Sequence, residues 1–189
     1  PKTWLNTTDI NNVMKQYEMK FPHFKYFEAT PIDFHLKDED NSCLVSSLCN
    51  ININELKKNK KKSLGLVFNT DKHTEPGQHW FSMYIDMVGR NHSNPSIYYF
   101  DSADKINDIK ELPIQILELI EKIQKQTNYK YDVLYNDIKH QYGDTECGVY
   151  CLHFLTEMLK GVQFHKYVEN KLNDKDIQKF RETFFINMK

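Results

Sequence analysis

The sequence predicts one α+β domain over residues 1–189: a mixed, mostly antiparallel central sheet flanked by helices, with a cysteine at the start of one helix. Three observations predict it. Four runs rich in β-branched and aromatic residues read as strands: "LGLVFNT" (64–70), "HWFSMYIDMV" (79–88), "SIYYFDS" (96–102) and "YKYDVLYND" (129–137). Stretches with apolar residues at helical spacing stand before, between and after them. The chain is 40% hydrophobic, with 12 Phe and 11 Tyr in 189 residues, enough to bury one bulky aromatic core.

The elements come in order along the chain. In "WLNTTDINNVMKQYEMKFP", Ile10, Val13, Met14 and Tyr17 share one helix face, Thr7 or Thr8 can cap the start, and Pro22 lies just past the end. "FKYFEATPIDF" reads as extended and broken by Pro31, while residues 43–58 fit helix and loop alike. Lys57–Lys62, "KKNKKK", is a solvated loop or a contact for phosphate or an acidic partner. Three strands come next. "NDIKELPIQILELIEKIQKQ" is a helix with Ile116, Leu119, Ile120 and Ile123 on one side and Pro113 in its first turn. After the strand at 129–137, "CGVYCLHFLTEMLKG" is a helix closed by Gly161, and two short helices finish the chain, near 163–172 and after Asn173 as N-cap. No internal repeat or linker interrupts the chain.

Composition removes several classes of function. A formal net charge of −1 gives no global attraction to nucleic acid or membrane, leaving Lys57–Lys62 as the one local candidate for nucleic acid. No apolar run approaches the ~20 residues that span a bilayer. No signal peptide opens the chain, and its first residue is Pro rather than Met, which predicts a trimmed or processed chain. The cysteines are Cys43, Cys49, Cys147 and Cys151; spacings of Cys-x5-Cys and Cys-x3-Cys do not fit a zinc site. The expectation is free thiols in a reducing compartment, with no metal and no cofactor.

The chemistry concentrates in "HQYGDTECGVYCLHFL", 140–155. Cys147 falls at a helix start, where unpaired amides and the helix dipole favour thiolate over thiol; Cys151, one turn on, reads as an inert core thiol. Among eight histidines, His79 comes after a turn, "TEPGQ", and opens a strand. By itself it reads as structural or exposed. Antiparallel pairing of 79–88 with 96–101 would bring Asp101 beside it, to hold one imidazole nitrogen while the other faces the thiol. Alone, Asp101 reads as a turn cap. Gln141, six residues before the cysteine, reads as a loop residue or, with the Cys147 backbone N–H, as a donor to the oxyanion of acyl transfer. Gly143 and Gly148 allow a substrate backbone to approach closely.

The order His79, Asp101, Gln141, Cys147, carried by "GQHW", "YYFDS" and "HQYGDTECGVY", resembles the ubiquitin-like-protein protease clan of cysteine proteases. That clan includes SUMO proteases, adenovirus endopeptidase and the African swine fever virus polyprotein protease. "VFNTD…HW", "YIDM" and "TECG" are most similar to its large DNA virus members, and "WLNTTDINNVMKQYE" is similar to the Trp-Leu-Asn segment that opens the SUMO proteases. The resemblance implies Cys147 as nucleophile, His79 as base and acid, Asp101 as its orienter and Gln141 as oxyanion donor. It also implies that Trp4 and Trp80, the only two tryptophans, enclose a diglycine tail, where Trp80 alone would read as a core aromatic. Residues 35–63 match poorly.

The expected protein is a monomeric cysteine endopeptidase. It would cleave after Gly-Gly-like motifs in viral precursor proteins or ubiquitin-like conjugates, in the host cytoplasm at a viral assembly site or in the virion, without membrane association. Two alternatives stand beside it. A same-clan acetyltransferase would use the same triad and need coenzyme A. A non-catalytic module binding a ubiquitin-like protein would have a degenerate site.

Overall fold

The computed structural model describes residues 3–186. The chain begins with α1 (Thr7–Lys20), then β1 (Phe24–Tyr26), β2 (Thr30–Pro31), α2 (Ser46–Cys49) and α3 (Ile53–Lys58). Strands β3 (Ser63–Asn69), β4 (Trp80–Asp86) and β5 (Ser96–Phe100) come next, then a 3-10 turn at Ile109–Glu111, α4 (Ile114–Gln126) and β6 (Asp132–Tyr135). Helices α5 (Cys147–Lys160), α6 (Phe164–Glu169) and α7 (Asp174–Phe185) close it.

The sheet runs β1-β3-β4-β5-β6, with β2 also joined to β3. Its centre, β3–β4–β5, is antiparallel. The outer strands β1, β2 and β6 all join in parallel, so three of the five pairings are parallel and the expected antiparallel predominance is confined to the middle. Every residue of β3, β4 and β5 is buried. Both faces of these strands are covered, so they read as unbroken apolar runs rather than alternating ones.

Alternate residues feed two cores. Val67, Trp80, Tyr84, Tyr98 and Phe100 face α1, α5, α6 and α7. Leu66, Phe68, Phe81, Met83, Ile97 and Tyr99 face the other way, against Ile116, Leu119, Ile120 and Ile123 of α4. On α5 only Glu157 and Lys160 escape burial, because the helix is apolar nearly all round, the pattern of a core helix.

The far end of α5 is held tightly. Asp86 Oδ1 accepts from Val88 and Gly89 N–H and Oδ2 from Asn91 N–H, which shapes the β4–β5 turn. From that turn Asn91 Nδ2 donates to the carbonyls of Met158 and Val162, and Arg90 donates to those of Leu159 and Lys160. Gly161 has φ +88°, the left-handed conformation that favours glycine, and its missing side chain leaves room for the Arg90 guanidinium.

Three local readings are corrected. The α1 cap is Asn6, not Thr7 or Thr8: Asn6 Oδ1 accepts from Asp9 N–H and Asp9 returns the bond to Asn6 N–H, a reciprocal capping box. Pro113 is the N-cap of α4 rather than part of its first turn. Cys43 and Cys49, expected as free thiols, are joined as a disulfide with Cα atoms 6.5 Å apart, which the turn into α2 brings together. Cys147 and Cys151 are free, as expected, and both are buried. In the lysine run, Lys61 Nζ bonds the carbonyls of Pro22 and Phe24, and Lys57 stacks on the Tyr131 ring. Among the described residues no helix is long and apolar enough to cross a membrane.

Candidate active site

Cys147 is the first residue of α5, with Glu146 as N-cap. No side chain caps this end, so the first amides of the helix, next to the thiol in the chain, have no side-chain acceptor. The sulfur lies deep: Cys147 is 2% exposed. Next to it Gly148 meets Leu5, where a Cβ would approach the Leu5 Cβ to 3.0 Å. The glycine expected to admit a substrate backbone instead admits the N-terminal segment, packing Leu5 against the start of α5.

His79 and Asp101 meet as the strand reading required. Ser82 pairs with Phe100 in the antiparallel register, so the residues just beyond these strand ends converge. His79 Nε2 donates to Asp101 Oδ1 at 2.6 Å, which leaves Nδ1 for the sulfur. Burial disfavours the imidazolium, but the hydrogen bond to Asp101, the Cys147 sulfur and the Asp101 charge outweigh it and push His79 up to about 10. Asp101 is itself fixed through its backbone. Asn136, fully buried, accepts from Asp101 N–H at 2.9 Å and donates to Asp101 O at 2.8 Å.

Gln141 is buried, 3% exposed, with both ends of its amide engaged. Oε1 accepts from Ser102 Oγ at 2.7 Å, and Nε2 donates to Gly143 O at 2.9 Å. Helix α7 supports the loop just beyond. Asp174 Oδ2 accepts from the N–H groups of Tyr142 and Gly143, Gln178 bonds Glu146, and Arg181 donates to Thr145 O. These three residues, four and three apart, share one helix face. The glycine at 143 answers to that crowding: a Cβ there would lie 2.7 Å from Glu146 Oε2.

Trp80 is buried and donates from Nε1 to Leu5 O at 2.9 Å, while Trp4, one residue earlier, is 44% exposed. Both line one cleft of about 400 Å³ with Thr30, Asn69 and Gly77; Cys147 and His79 are not in its wall. Of the eight sequence-chosen residues, the structure thus gathers His79 with Asp101 beside Cys147, seats Gln141 on Ser102, and sets the two tryptophans together at the N-terminal segment. Asn136, Ser102 and the α7 residues were not found from sequence. Only the Asp174, Gln178, Arg181 spacing could have hinted at a polar helix face.

A thiol among helix-start amides, an imidazole charged by a carboxylate and a fixed carboxamide together are equipped for acyl transfer. Among the described residues no cluster of potential ligands could hold a metal ion. A family model described as YopJ serine/threonine acetyltransferase matches residues 15–186. The chain belongs to that family. The YopJ-type family shares its clan with the ubiquitin-like-protein proteases that the motifs resemble.

The putative thiol protease R355 of Acanthamoeba polyphaga mimivirus is 33% identical over 184 residues, 97% of this chain and 57% of its own length. The cysteine protease S273R of African swine fever virus is 30% identical over 127 residues, 65% of this chain and 44% of its own. The chain therefore spans about half the length of the curated relatives it matches. The crystal structure of the African swine fever virus pS273R protease superposes with TM-score 0.77 at 21% identity, covering 96% of this chain and 67% of that one. The C-terminal Ulp1 protease domain, solved with the yeast SUMO orthologue SMT3, gives TM-score 0.63 at 20% identity, covering 97% and 76%. Both share the fold.

Proposed function

We propose that this chain is a cysteine peptidase of the SUMO-protease type, hydrolysing peptide or isopeptide bonds after Gly-Gly-like motifs. One observation carries the reading: the 2.6 Å bond from His79 to Asp101 beside a cysteine at a helix start. In this reading the Cys147 thiolate attacks the scissile carbonyl carbon. The oxyanion is held by the Cys147 N–H and a Gln141 Nε2–H, and the His79 imidazolium protonates the departing amine. Water, deprotonated by His79, then attacks the thioester. Its collapse releases the carboxylate and restores the thiolate and imidazolium.

Trp4 and Trp80 would pass a side-chain-free backbone and refuse larger residues. Substrates would be viral precursor proteins or ubiquitin-like conjugates, met at a viral assembly site or in the virion; that the mimivirus and African swine fever virus relatives are described as proteases supports the choice of a protein substrate.

The family model's own description favours a second reading, acetyl transfer through an acetylated Cys147. One experiment separates the two. The protein is offered a ubiquitin-like probe with a reactive C-terminus, short Gly-Gly peptides, and acetyl-coenzyme A with a protein acceptor. Probe capture or peptide cleavage, lost in Cys147→Ala, supports peptidase action. Acetyl-coenzyme A turnover without either overturns it.

A further inference from the structure

Asp101 is succeeded by Ser102, a residue with no part in the roles assigned so far. Ser102 is 1% exposed and makes three bonds to the segment carrying Gln141. Its carbonyl accepts from the N–H of His140 at 3.0 Å and of Gln141 at 2.7 Å. Its hydroxyl donates to Gln141 Oε1 at 2.7 Å. A carboxamide can sit either way round, and its use as an oxyanion donor depends on which end faces the reacting carbon. Here Gly143 O makes the choice. Gly143 O is an acceptor and demands the NH2 end; Ser102 Oγ then completes the pair by donating to the oxygen end. Nε2 carries two hydrogens, so one remains after Gly143 has taken the other. A donor on the amide oxygen also polarises the amide and strengthens its N–H groups.

We propose that Ser102 is the positioning residue of the oxyanion donor. Its hydroxyl seats the Gln141 carboxamide and polarises it, strengthening the N–H left free for a developing negative charge. The proposal rests on the nucleophile reading of Cys147, but on no particular substrate. Asp101 and Ser102 then form a dipeptide with divided duties: one side chain fixes the imidazole and the next fixes the oxyanion donor.

The test uses two reagents that differ in one respect. p-Nitrophenyl acetate acylates Cys147 through a tetrahedral oxyanion, whereas iodoacetamide alkylates the same sulfur at a saturated carbon without one. Removing a whole oxyanion donor costs roughly 10²- to 10³-fold, and a misaimed donor costs less. Ser102→Ala is therefore expected to slow acylation about 10- to 100-fold and to leave alkylation within about twofold of the wild type. In a Gln141→Ala background the same substitution is expected to have no further effect on acylation, because residues acting as a unit are non-additive.

Acylation at the wild-type rate, an equal loss with both reagents, or an undiminished loss in the Gln141→Ala background overturns the proposal. The equal loss would mean that thiol or imidazole had been disturbed, or the fold lost. If Cys147 of the unmodified protein reacts with neither reagent, the nucleophile reading fails first and takes the proposal with it.

Discussion

Three histidines pack around the first half of α5, and the protein treats one of them in the opposite way to the other two. At the mouth of the site, His79 is partly buried beside a carboxylate and is pushed up to about 10. Behind it, His140 and His153 sit in an aromatic cluster. His140 lies edge-on to Phe100 and stacks on Tyr167, and His153 lies edge-on to Phe180. Burial pushes both down to about 4. Burial acts in the same direction on all three imidazoles. What differs is the partner: Asp101 and a sulfur for His79, the Val168 carbonyl for His140 and the Tyr167 hydroxyl for His153. The ring is a charged reagent where a carboxylate bonds it directly and a neutral space-filling group where its bonded partner is uncharged.

The largest effect expected is at the mouth. Cys147→Ala should abolish turnover with the melting temperature nearly unchanged, and a time course with limiting iodoacetamide should label Cys147 before Cys151; preferential labelling of Cys151 would contradict the assignment. His79→Ala removes proton transfer itself, worth roughly 10²- to 10⁴-fold in kcat/KM.

Asp101→Asn should cost less, because an amide oxygen still accepts from Nε2. It should also move the alkaline limb of the pH profile. In the wild type, activity should hold through neutral pH and fall as the imidazolium is lost near pH 10; without the carboxylate the fall should start closer to the ordinary imidazole value of about 6.5. A loss as large as that of His79→Ala, or an unmoved limb, would break the contrast between the two groups.

Trp80→Ala should lower activity on Gly-Gly peptides and narrow their advantage over Gly-Ala peptides. The barrier removed resembles overpacking of ~1–3 kcal/mol, or roughly 5- to 150-fold. Matched peptides read alongside thermal stability check this. Lost stability with unchanged selectivity would make Trp80 a core residue and nothing more.

The aromatic cluster should announce itself in stability rather than rate. Below pH 6.5 the unfolded chain binds protons at His140 and His153 that the folded protein refuses until about pH 4, so stability should fall across that window. A loss on the order of 1–2 kcal/mol for each histidine by pH 5 is expected, read from urea midpoints. His79 contributes the reverse: its share is full below pH 6.5 and is lost as pH rises toward 10. Midpoints that stay flat from pH 7 to 5 would refute the opposed treatment.

The proposed quartet could be picked out because each member carries a residue type and a neighbour that chemistry restricts: His before a strand, Asp at a strand end, Gln six residues before Cys-Gly. Strands β3, β4 and β5 were legible because burial on both faces leaves little polar interruption. What stayed hidden was long-range or short-lived along the chain. Ser102 and Gln141 are 39 residues apart, and Asp101 and Asn136 are 35 apart, so neither pair leaves a local pattern. Helices α2 and α3 are four and six residues long, too brief for a period to declare itself. The parallel joining of β1, β2 and β6 depends on which segments cross over the sheet, and strand composition does not encode that.

The turn at Asp86–Asn91 gives α5 a pivot. The helix has 14 residues, so Cys147 stands ~20 Å from the carbonyls that Arg90 and Asn91 grip. Over an arm of that length, a tilt of about 3° at the grip carries the sulfur through about 1 Å. A 1 Å misplacement is enough to cost catalysis about 10²-fold. Leu5 against Gly148 and Arg181 on Thr145 then act as stops at the swinging end. The alignment of the thiol is therefore set as much by a hairpin at the opposite pole of the molecule as by the groups that surround it.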